Sequence, residues 1–315
     1  MKNLKTHLLM FMVCIGFQLQ AQIDWSKVNF EDEYKSKTKI PGSAAKSLQA
    51  NPVFINDYYL TQASLMKGAS HAGTIQKQGV TSVFAEAALA GVSPEALQAL
   101  IEELYAHFVA DLKGIGLNVT NGDAVMQSKY VLSKADKKNV MIGKTDGQYI
   151  YDKSPAIDMS GSDIKEQYIF RPANNNVFAT FKIPGTFYQN LAAKEKINLI
   201  SIGYIVRFAQ FDGKNSGLSK NSLTTTAGLM ITPVISLVNP KGSFAWITYD
   251  KNIYGNNDWS KGLVKTGSRD GSALGLSSSA DYAIDANQEK YLNELKQMIL
   301  YLQKDIANQL KASFK

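Results

Sequence analysis

The sequence predicts an α/β (α+β) fold: a mixed, mainly antiparallel sheet of about five strands, backed by two long helices. The first observation is a helical repeat over 93–113, where apolar residues recur every three or four positions. The second is a similar apolar stripe on a final helix over about 285–312. The third is a set of β-branched and aromatic segments around and between these helices, which is typical of strands. Together they predict one domain over 51–315 with a loop-rich insertion at about 140–196.

Residues 1–21 have the features of a secretory signal peptide: two early lysines, a short apolar run and Ala21 at a suitable cleavage position. The only cysteine, Cys14, lies within that apolar run, so the mature chain carries no thiol and no disulfide. We therefore expect an exported protein of a Gram-negative bacterium, either periplasmic or associated with the outer membrane. Beyond the signal there is no apolar stretch of about 18 residues, so we expect no transmembrane helix.

The charge composition argues against a nucleic-acid partner. The chain has 34 Lys and Arg residues against 27 Asp and Glu residues, but only Arg171, Arg207 and Arg269 are arginines. Arginine is the side chain best suited to paired hydrogen bonds with bases and phosphates, so a dispersed lysine excess indicates a solvated surface.

Before the first long helix, residues 22–50 are polar and predict an N-terminal arm that crosses the domain surface. Residues 52–60 predict the first strand, and 67–92 a loop with a short helix over 80–90. The long helix begins after Ser93, a good N-cap residue, with Pro94 at the first helical position. Glycines at 114 and 116 end this helix.

After the helix we expect a strand over 117–125 and a weaker helix or irregular stretch over 126–139. The insertion is rich in turn residues, with short strands around 148–151 and 167–170, a further strand over 177–183 and a short helix over 186–196. The strongest strand patterns follow, and they cover 199–211, 223–238 and 243–249. Pro233 predicts an open edge or a bulge in the second of them. Residues 250–280 predict loop.

Two short motifs resemble the catalytic motifs of penicillin-interacting enzymes. Ser64 and Lys67 match S-x-x-K, and Lys265-Thr266-Gly267 matches K-T-G, where a lysine activates a serine nucleophile. The S-x-x-K pattern also begins at Ser36, Ser43 and Ser162, so its occurrence in this Ser- and Lys-rich chain carries little weight. A hydrolase with two catalytic carboxylates needs no sequence proximity and stays open as an alternative.

No cofactor or metal motif is complete in the sequence. Gly143-Lys144 resembles the end of a phosphate-binding loop, but Lys138 replaces the glycine that such a loop requires. After signal removal only His71 and His107 remain, and they form no zinc-binding pattern. We therefore expect no cofactor and no bound metal.

Three segments resemble one family. They are the helix end at 112–119, the strand over 198–205 with Gly203 in its middle, and the hairpin over 235–246. In this combination and order they are similar to the envelope α/β domain shared by CsgG-like curli secretion proteins and the N-terminal domain of TolB. The resemblance implies a non-catalytic scaffold for partner binding and assembly. The chain departs from the family in lacking a lipid-anchor cysteine and in carrying the 140–196 insertion.

The sequence thus favours a non-enzymatic cell-envelope protein, a partner-binding, assembly or secretion-accessory component. Its partner would be an envelope protein, a peptide or a cell-wall component, and a homo-oligomer stays open. In one version, 199–211 and 223–238 form a membrane-inserting hairpin of a ring. The expected contact surface is the loop-rich side made by 67–79 and 255–279. This surface would include the following candidate residues: His71, Trp259 and Arg269. The alternative is an exported hydrolase, either serine-type through Ser64, Lys67 and Lys265 or carboxylate-based.

Overall fold

The computed structural model describes residues 22–72, 81–135, 140–144, 147–153, 163–173, 176–180, 184–216, 220–269 and 278–314. The predicted signal peptide and part of the predicted contact surface (73–79 and 270–277) lie outside these ranges. The chain forms a mixed α/β fold around a large mixed sheet. The predicted fold class is confirmed at this level, but the sheet has many more strands than five, and several shorter helices accompany the two long ones.

Besides a short 3-10 helix over Trp25–Lys27, the described helices are α1 (Phe30–Glu33), α2 (Gly42–Ala50), α3 (Pro94–Gly114), α4 (Asp123–Met126), α5 (Lys129–Ala135), α6 (Pro184–Glu195) and α7 (Gln288–Ala312). The first strands are β1 (Lys37–Lys39), β2 (Val53–Ala72), β3 (Thr81–Ala90), β4 (Val119–Thr120), β5 (Val140–Lys144), β6 (Ile150–Asp152), β7 (Ile164–Phe170) and β8 (Asn176–Thr180). The later strands are β9 (Asn198–Ser216), β10 (Lys220–Val238), β11 (Phe244–Thr248), β12 (Ile253–Tyr254), β13 (Ser260–Arg269) and β14 (Ser278–Ala286).

Strand β2 lies at the centre of the large sheet, whose main order is β1-β11-β10-β9-β2-β3-β14-β13. Its first half pairs in parallel with β9, and its second half pairs antiparallel with β3. β7 pairs antiparallel with the middle of β2. Three register shifts, at Ile55/Asp57, Ala63/Leu65 and Leu65/Met66, interrupt these ladders, and such bulges bend a strand. β2 therefore belongs to two regions of the sheet at once.

The two long helices pack on one face of the sheet, as predicted. Helix α3 begins where Ser93 Oγ accepts a hydrogen bond from the backbone N–H of Ala96 (3.2 Å). Its buried stripe includes Leu104 and Phe108, both fully buried in the same apolar core as the α7 stripe. Both helices thus bury their apolar faces together against the sheet, which stabilises amphipathic helices in proteins.

The opposite face of the sheet carries a second, smaller core beneath α4, α5 and α6. Neighbouring residues divide between the two cores: Ile200 belongs to the first and Leu199 to the second, and Leu237 and Val238 divide likewise. Successive side chains of a strand point to opposite faces, so this division places helices on both faces of the sheet at this end.

Residues 67–72 and 81–90 lie in strands, so the predicted loop and short helix are wrong at these positions, and residues 73–80 lie outside the described ranges. The reason lies in their small side chains, which suggest loop or helix when read locally. The far half of the β9–β10 hairpin lies across this part of β2, so close that a Cβ atom at Gly68 would collide with the Phe211 ring. A Cβ at Gly213 would likewise approach Ser70 Oγ to 2.9 Å. Small residues are needed here because two β layers approach closely.

β9 and β10 form one long antiparallel hairpin that covers the predicted strands 199–211 and 223–238. Pro233 pairs with Tyr204 on the β9 side. On its other side, β10 pairs with β12 only at 230–231 and with β11 only from Ile235 onward, so Pro233 lies in the gap between these two ladders. A residue without an N–H is tolerated at such an unpaired edge, as the sequence predicts.

The N-terminal arm is part of the core rather than a surface crossing. Trp25, Phe30 and Tyr34 are each at most 4% exposed. The Trp25 indole donates to Glu294 Oε1 on α7 (2.9 Å), and the Asn256 side chain both accepts from and donates to the Ile23 backbone. Aromatic burial and these long-range hydrogen bonds hold the arm against α7.

Three further segments differ from the expectation. The predicted strand 117–125 is reduced to the two residues of β4, after which the chain enters α4. The predicted loop 250–280 contains β12, β13 and the start of β14. The insertion is integrated into the fold, because β7 pairs with β2 and α6 packs in the second core. Among the described helices, none is both long and apolar enough to cross a membrane.

Candidate functional site

Ser64 and Lys67 both lie on β2, and this placement separates them. A helix would bring residues three apart to one face, whereas a strand spaces their Cα atoms by about 10 Å. The Lys67 ammonium is engaged elsewhere, because it lies 3.5 Å from Glu86 Oε1 and 4.8 Å from the Phe84 ring centre. Ser64 Oγ is buried and has no hydrogen-bond partner among the described residues. No base therefore activates this serine in the described structure.

Lys265 is not brought to Ser64 either. It is exposed on β13, where it pairs with Tyr282 on β14, which in turn pairs with Ala87 on β3. Ala87 is opposite Met66 on β2, so three strand spacings, about 14 Å, separate Lys265 from β2. The K-T-G motif does lie on a strand, contrary to the predicted loop, but it lies far from the S-x-x-K motif.

The three candidate surface residues have different environments. Trp259 is fully buried and packs edge-on against Tyr291, with ring centres 5.0 Å apart, so it is a core residue and not a contact residue. His71 lies near the end of β2 and pairs through its backbone position with Ser82. Arg269 is the last residue of β13 and is exposed. Of the three, the structure shows only Arg269 on an accessible surface.

A polar cluster lies at the first β2 bulge and includes one ion pair. The Arg171 Nε donates to Asp57 Oδ1 (3.1 Å), and its guanidinium lies 5.6 Å from the Tyr59 ring centre. Burial raises the pKa of Asp57, and the Arg171 charge opposes this shift. The Tyr59 ring lies directly against the backbone of Gly203.

Neighbouring contacts give this cluster a structural role. Asn56 Nδ2 donates to Ser201 Oγ (3.1 Å), and the Arg171 carbonyl accepts from Gln98 Nε2 on α3 (2.7 Å). The cluster thus ties α3 and the end of β7 to the middle of the sheet. It has no second carboxylate or nucleophile hydrogen-bonded to Asp57 among the described residues, so it lacks the parts of a hydrolytic site.

Metal binding has no support in the described part of the chain, where no three His, Cys, Asp or Glu side chains gather closely enough to hold an ion. A groove with a volume of about 740 Å³ lies between the N-terminal arm and the end of α7. Its walls are mainly polar, with Glu31, Lys37 and Asp305 among them. Asp305 Oδ2 already accepts from Tyr249 and Gln309, so it joins α7 to the residue that follows β11.

The strand β13 is exposed along almost its whole length. β13 ends the main strand order, and no described strand pairs with its second edge. Leu263 is 37% exposed and its neighbour Val264 is 58% exposed. Because adjacent side chains point to opposite faces, both faces of this strand are accessible as well as its edge. The predicted contact surface at 255–279 therefore contains an exposed strand, which local sequence reasoning missed.

Only part of the β13 sequence is typical of a strand. Leu263 and Val264 are β-formers, but Gly262, Gly267 and two serines dilute the pattern. Register shifts at Ser260/Gly262 and Lys265/Gly267 explain why alternation is broken.

No protein-family model, curated protein or solved structure matches the chain. The geometry of the described residues is therefore the basis for a functional proposal.

Proposed function

We propose that this protein is a non-enzymatic, exported cell-envelope component that binds a protein or peptide partner along the outer edge of β13. The observation that carries this proposal is the exposed, unpaired edge of a ten-residue strand. Such an edge presents a row of backbone N–H and C=O groups, which an extended segment of another chain can satisfy by adding a strand.

The two exposed apolar side chains add to this binding capacity. Leu263 and Val264 leave 37% and 58% of their surface in water, and burying them under a partner would be favourable. Backbone pairing supplies affinity in this binding mode, and the alternate side chains supply selectivity. A partner strand would therefore make contact at the edge and on both faces of β13.

Other features are consistent with an envelope role. The predicted signal peptide supports export, and the family resemblance supports a scaffold that binds partners or assembles, including with copies of itself. The serine-type version of the hydrolase alternative receives no support from the described geometry, because Ser64, Lys67 and Lys265 lie apart.

Site-specific photo-crosslinking in intact cells tests the proposal. A photoreactive amino acid at Val264 should give a crosslinked heterologous adduct, because the partner strand would lie beside it. The same amino acid at Leu132, which is 49% exposed on α5, is the matched control and should give none. Equal adducts at both positions, or none at Val264, would contradict an edge-specific partner.

Proline substitutions sharpen this test. Backbone N–H groups of a strand alternate between its two edges, so one of Leu263→Pro and Val264→Pro removes an outward N–H and spares the ladder with β14. The variant with the higher melting temperature is taken as the one that spares the ladder. In that variant the photoreactive amino acid is placed at the neighbouring position, 263 or 264, that is not proline. We expect this protein to give no adduct.

A further inference from the structure

The charges along β13 identify the chemistry of its partner, given the edge-binding function proposed above. The strand carries Lys261, Lys265 and Arg269 and has no acidic residue between Ser260 and Arg269. We propose that β13 selects an acidic partner strand, in which carboxylates face Lys265 and Arg269 and apolar residues face Leu263 and Val264.

The three cations are not equivalent. Lys261 lies 3.4 Å from Asp285 on β14, so its charge is already paired within the chain. Lys265 and Arg269 form no ion pair with any residue in the described ranges, and both are exposed. Opposite charges directly across a strand pair are favourable and like charges are unfavourable. These two residues are therefore the ones that would distinguish an acidic strand from others.

The side-chain pattern gives the partner a register. Leu263 pairs with Ile284, which is fully buried, so Leu263 and Lys265 share the core-facing side of β13. Val264 pairs with Ala283 and lies on the other side. A partner strand would alternate in the same way. On one face it would carry an apolar residue opposite Leu263 and, two positions along, a carboxylate opposite Lys265. The residue between them would be apolar and would face Val264 on the other side.

A second copy of this chain is the less suitable occupant. Two β13 edges placed together would bring lysines and arginines of both copies into one short ladder. The opposite end of the main sheet is β1, whose three residues include no acidic one, so β1 of another copy would offer no carboxylate to Lys265 or Arg269. Like-charge pairs of this kind disfavour self-association while admitting an acidic strand.

The register shifts between β13 and β14 also favour an acidic partner strand. They lie at Ser260/Gly262 and Lys265/Gly267 and divide the ladder into two short regular stretches, 262–265 and 267–269. Lysines and bulges on an edge are common protections against unselective strand pairing. The regular stretch over 262–265 has Lys261 before it and Lys265 at its end. It therefore favours a partner strand whose charges complement these cations, and it disfavours a strand that offers backbone pairing alone.

Fluorescence anisotropy with three labelled peptides tests this inference on the purified protein. The peptides match β13 in length and share their apolar positions, and they carry Glu, Gln or Lys at the positions that would face Lys265 and Arg269. We expect the Glu peptide to bind about five-fold more tightly than the Gln peptide and the Lys peptide to bind most weakly. The difference in affinity between the peptides should decrease as salt is added.

Charge reversal supplies the matched variants. Lys265→Glu combined with Arg269→Glu should reverse the order of the Glu and Lys peptides, because the carboxylates would then lie on β13 itself. Lys241→Glu changes an exposed lysine on a distant turn and should leave the order unchanged. A reversal by Lys241→Glu as well would reflect net charge and would overturn the assignment to β13.

Other outcomes separate this inference from the proposed function. Equal binding of the three peptides, or no binding of any, would overturn the acidic-strand inference. The crosslink at Val264 would decide independently whether the edge has a partner at all. Sedimentation that shows a dimer of the protein, lost in the better-folded proline variant, would overturn the inference in favour of a second copy.

Discussion

Gly203 allows the Tyr59 ring to lie directly against the sheet backbone, with the Arg171 guanidinium 5.6 Å from the ring centre. A Cβ atom at this position would overlap the Tyr59 ring. We expect Gly203→Ala to lower the free energy of unfolding by about 2 kcal/mol, because the ring would be forced out of its site. Chemical denaturation measures this change.

Two comparisons test whether the ring is the cause. In a Tyr59→Ala background the same substitution should cost much less, since the overlap is removed. Gly114→Ala, at the end of α3, adds a Cβ atom into open space and should leave stability equal or slightly higher. A full loss of stability in the double variant would show that the backbone itself requires glycine.

Asp305 is the residue from which a pH dependence is expected. Burial raises its pKa above the ordinary value, and this effect outweighs the hydrogen bonds that Tyr249 and Gln309 donate to it. A carboxyl whose folded pKa is raised contributes stability below its unfolded pKa and loses that contribution as the pH rises through the folded pKa.

Asp305→Asn should remove this dependence. We expect the variant to gain stability relative to the unsubstituted protein between about pH 3 and about pH 7, because only the aspartate must ionise in a buried site. Unfolding free energies at the two pH values measure the difference. A relative loss for the variant over this interval would mean that the donated hydrogen bonds dominate.

At the scale of elements, the N-terminal arm depends on a few buried aromatic contacts. Trp25 is 4% exposed and bonded to Glu294, so Trp25→Ala should cost about 4 kcal/mol in unfolding free energy. The control is Lys27→Ala, which removes an exposed ion pair with Asp24 and should leave stability unchanged. Thermal unfolding of both variants distinguishes a core arm from a surface crossing, since equal melting temperatures would indicate the latter.

The long strands show why element prediction succeeded on one side of the sheet and failed on the other. β9 and β10 carry apolar, β-branched residues that predict strands, whereas residues 67–72 of β2 are rich in Ala, Ser and Gly and predict loop. The close approach of Phe211 to Gly68 requires those small residues. That requirement comes from a contact between segments 143 positions apart (211 − 68) in the chain, which no local pattern contains.

At the scale of the whole molecule, β2 links the two regions of the sheet. It pairs with β9 over its first half and with β3 over its second, and one apolar core includes residues from both regions. We expect the regions to unfold together. Tryptophan fluorescence, which reports on the buried Trp25 and Trp259, should change at the same denaturant concentration as far-ultraviolet circular dichroism. Two separate transitions would show that β2 does not couple them.

For the candidate site, as for the fold, some features could be predicted from the sequence and others could not. Arg269 and the general location at 255–279 were within reach of sequence reasoning, because Gly, Asn and Ser indicate exposure. The burial of Trp259 was not, since its position depends on packing against Tyr291 from a distant helix. The separation of Ser64 from Lys265 was equally invisible, because it depends on the order of β2, β3, β14 and β13.

The sequence by itself determined α3, α7, the long strands β9 and β10 and an edge or bulge at Pro233, because helical periodicity, strand patterning and the missing proline N–H are local properties. Only the tertiary structure decided that the arm enters the core, that small residues form strands and that β13 ends the sheet with an accessible edge. Those features depend on which distant segments meet, and strand pairing and burial are long-range contacts whose energy is absent until the chain has folded.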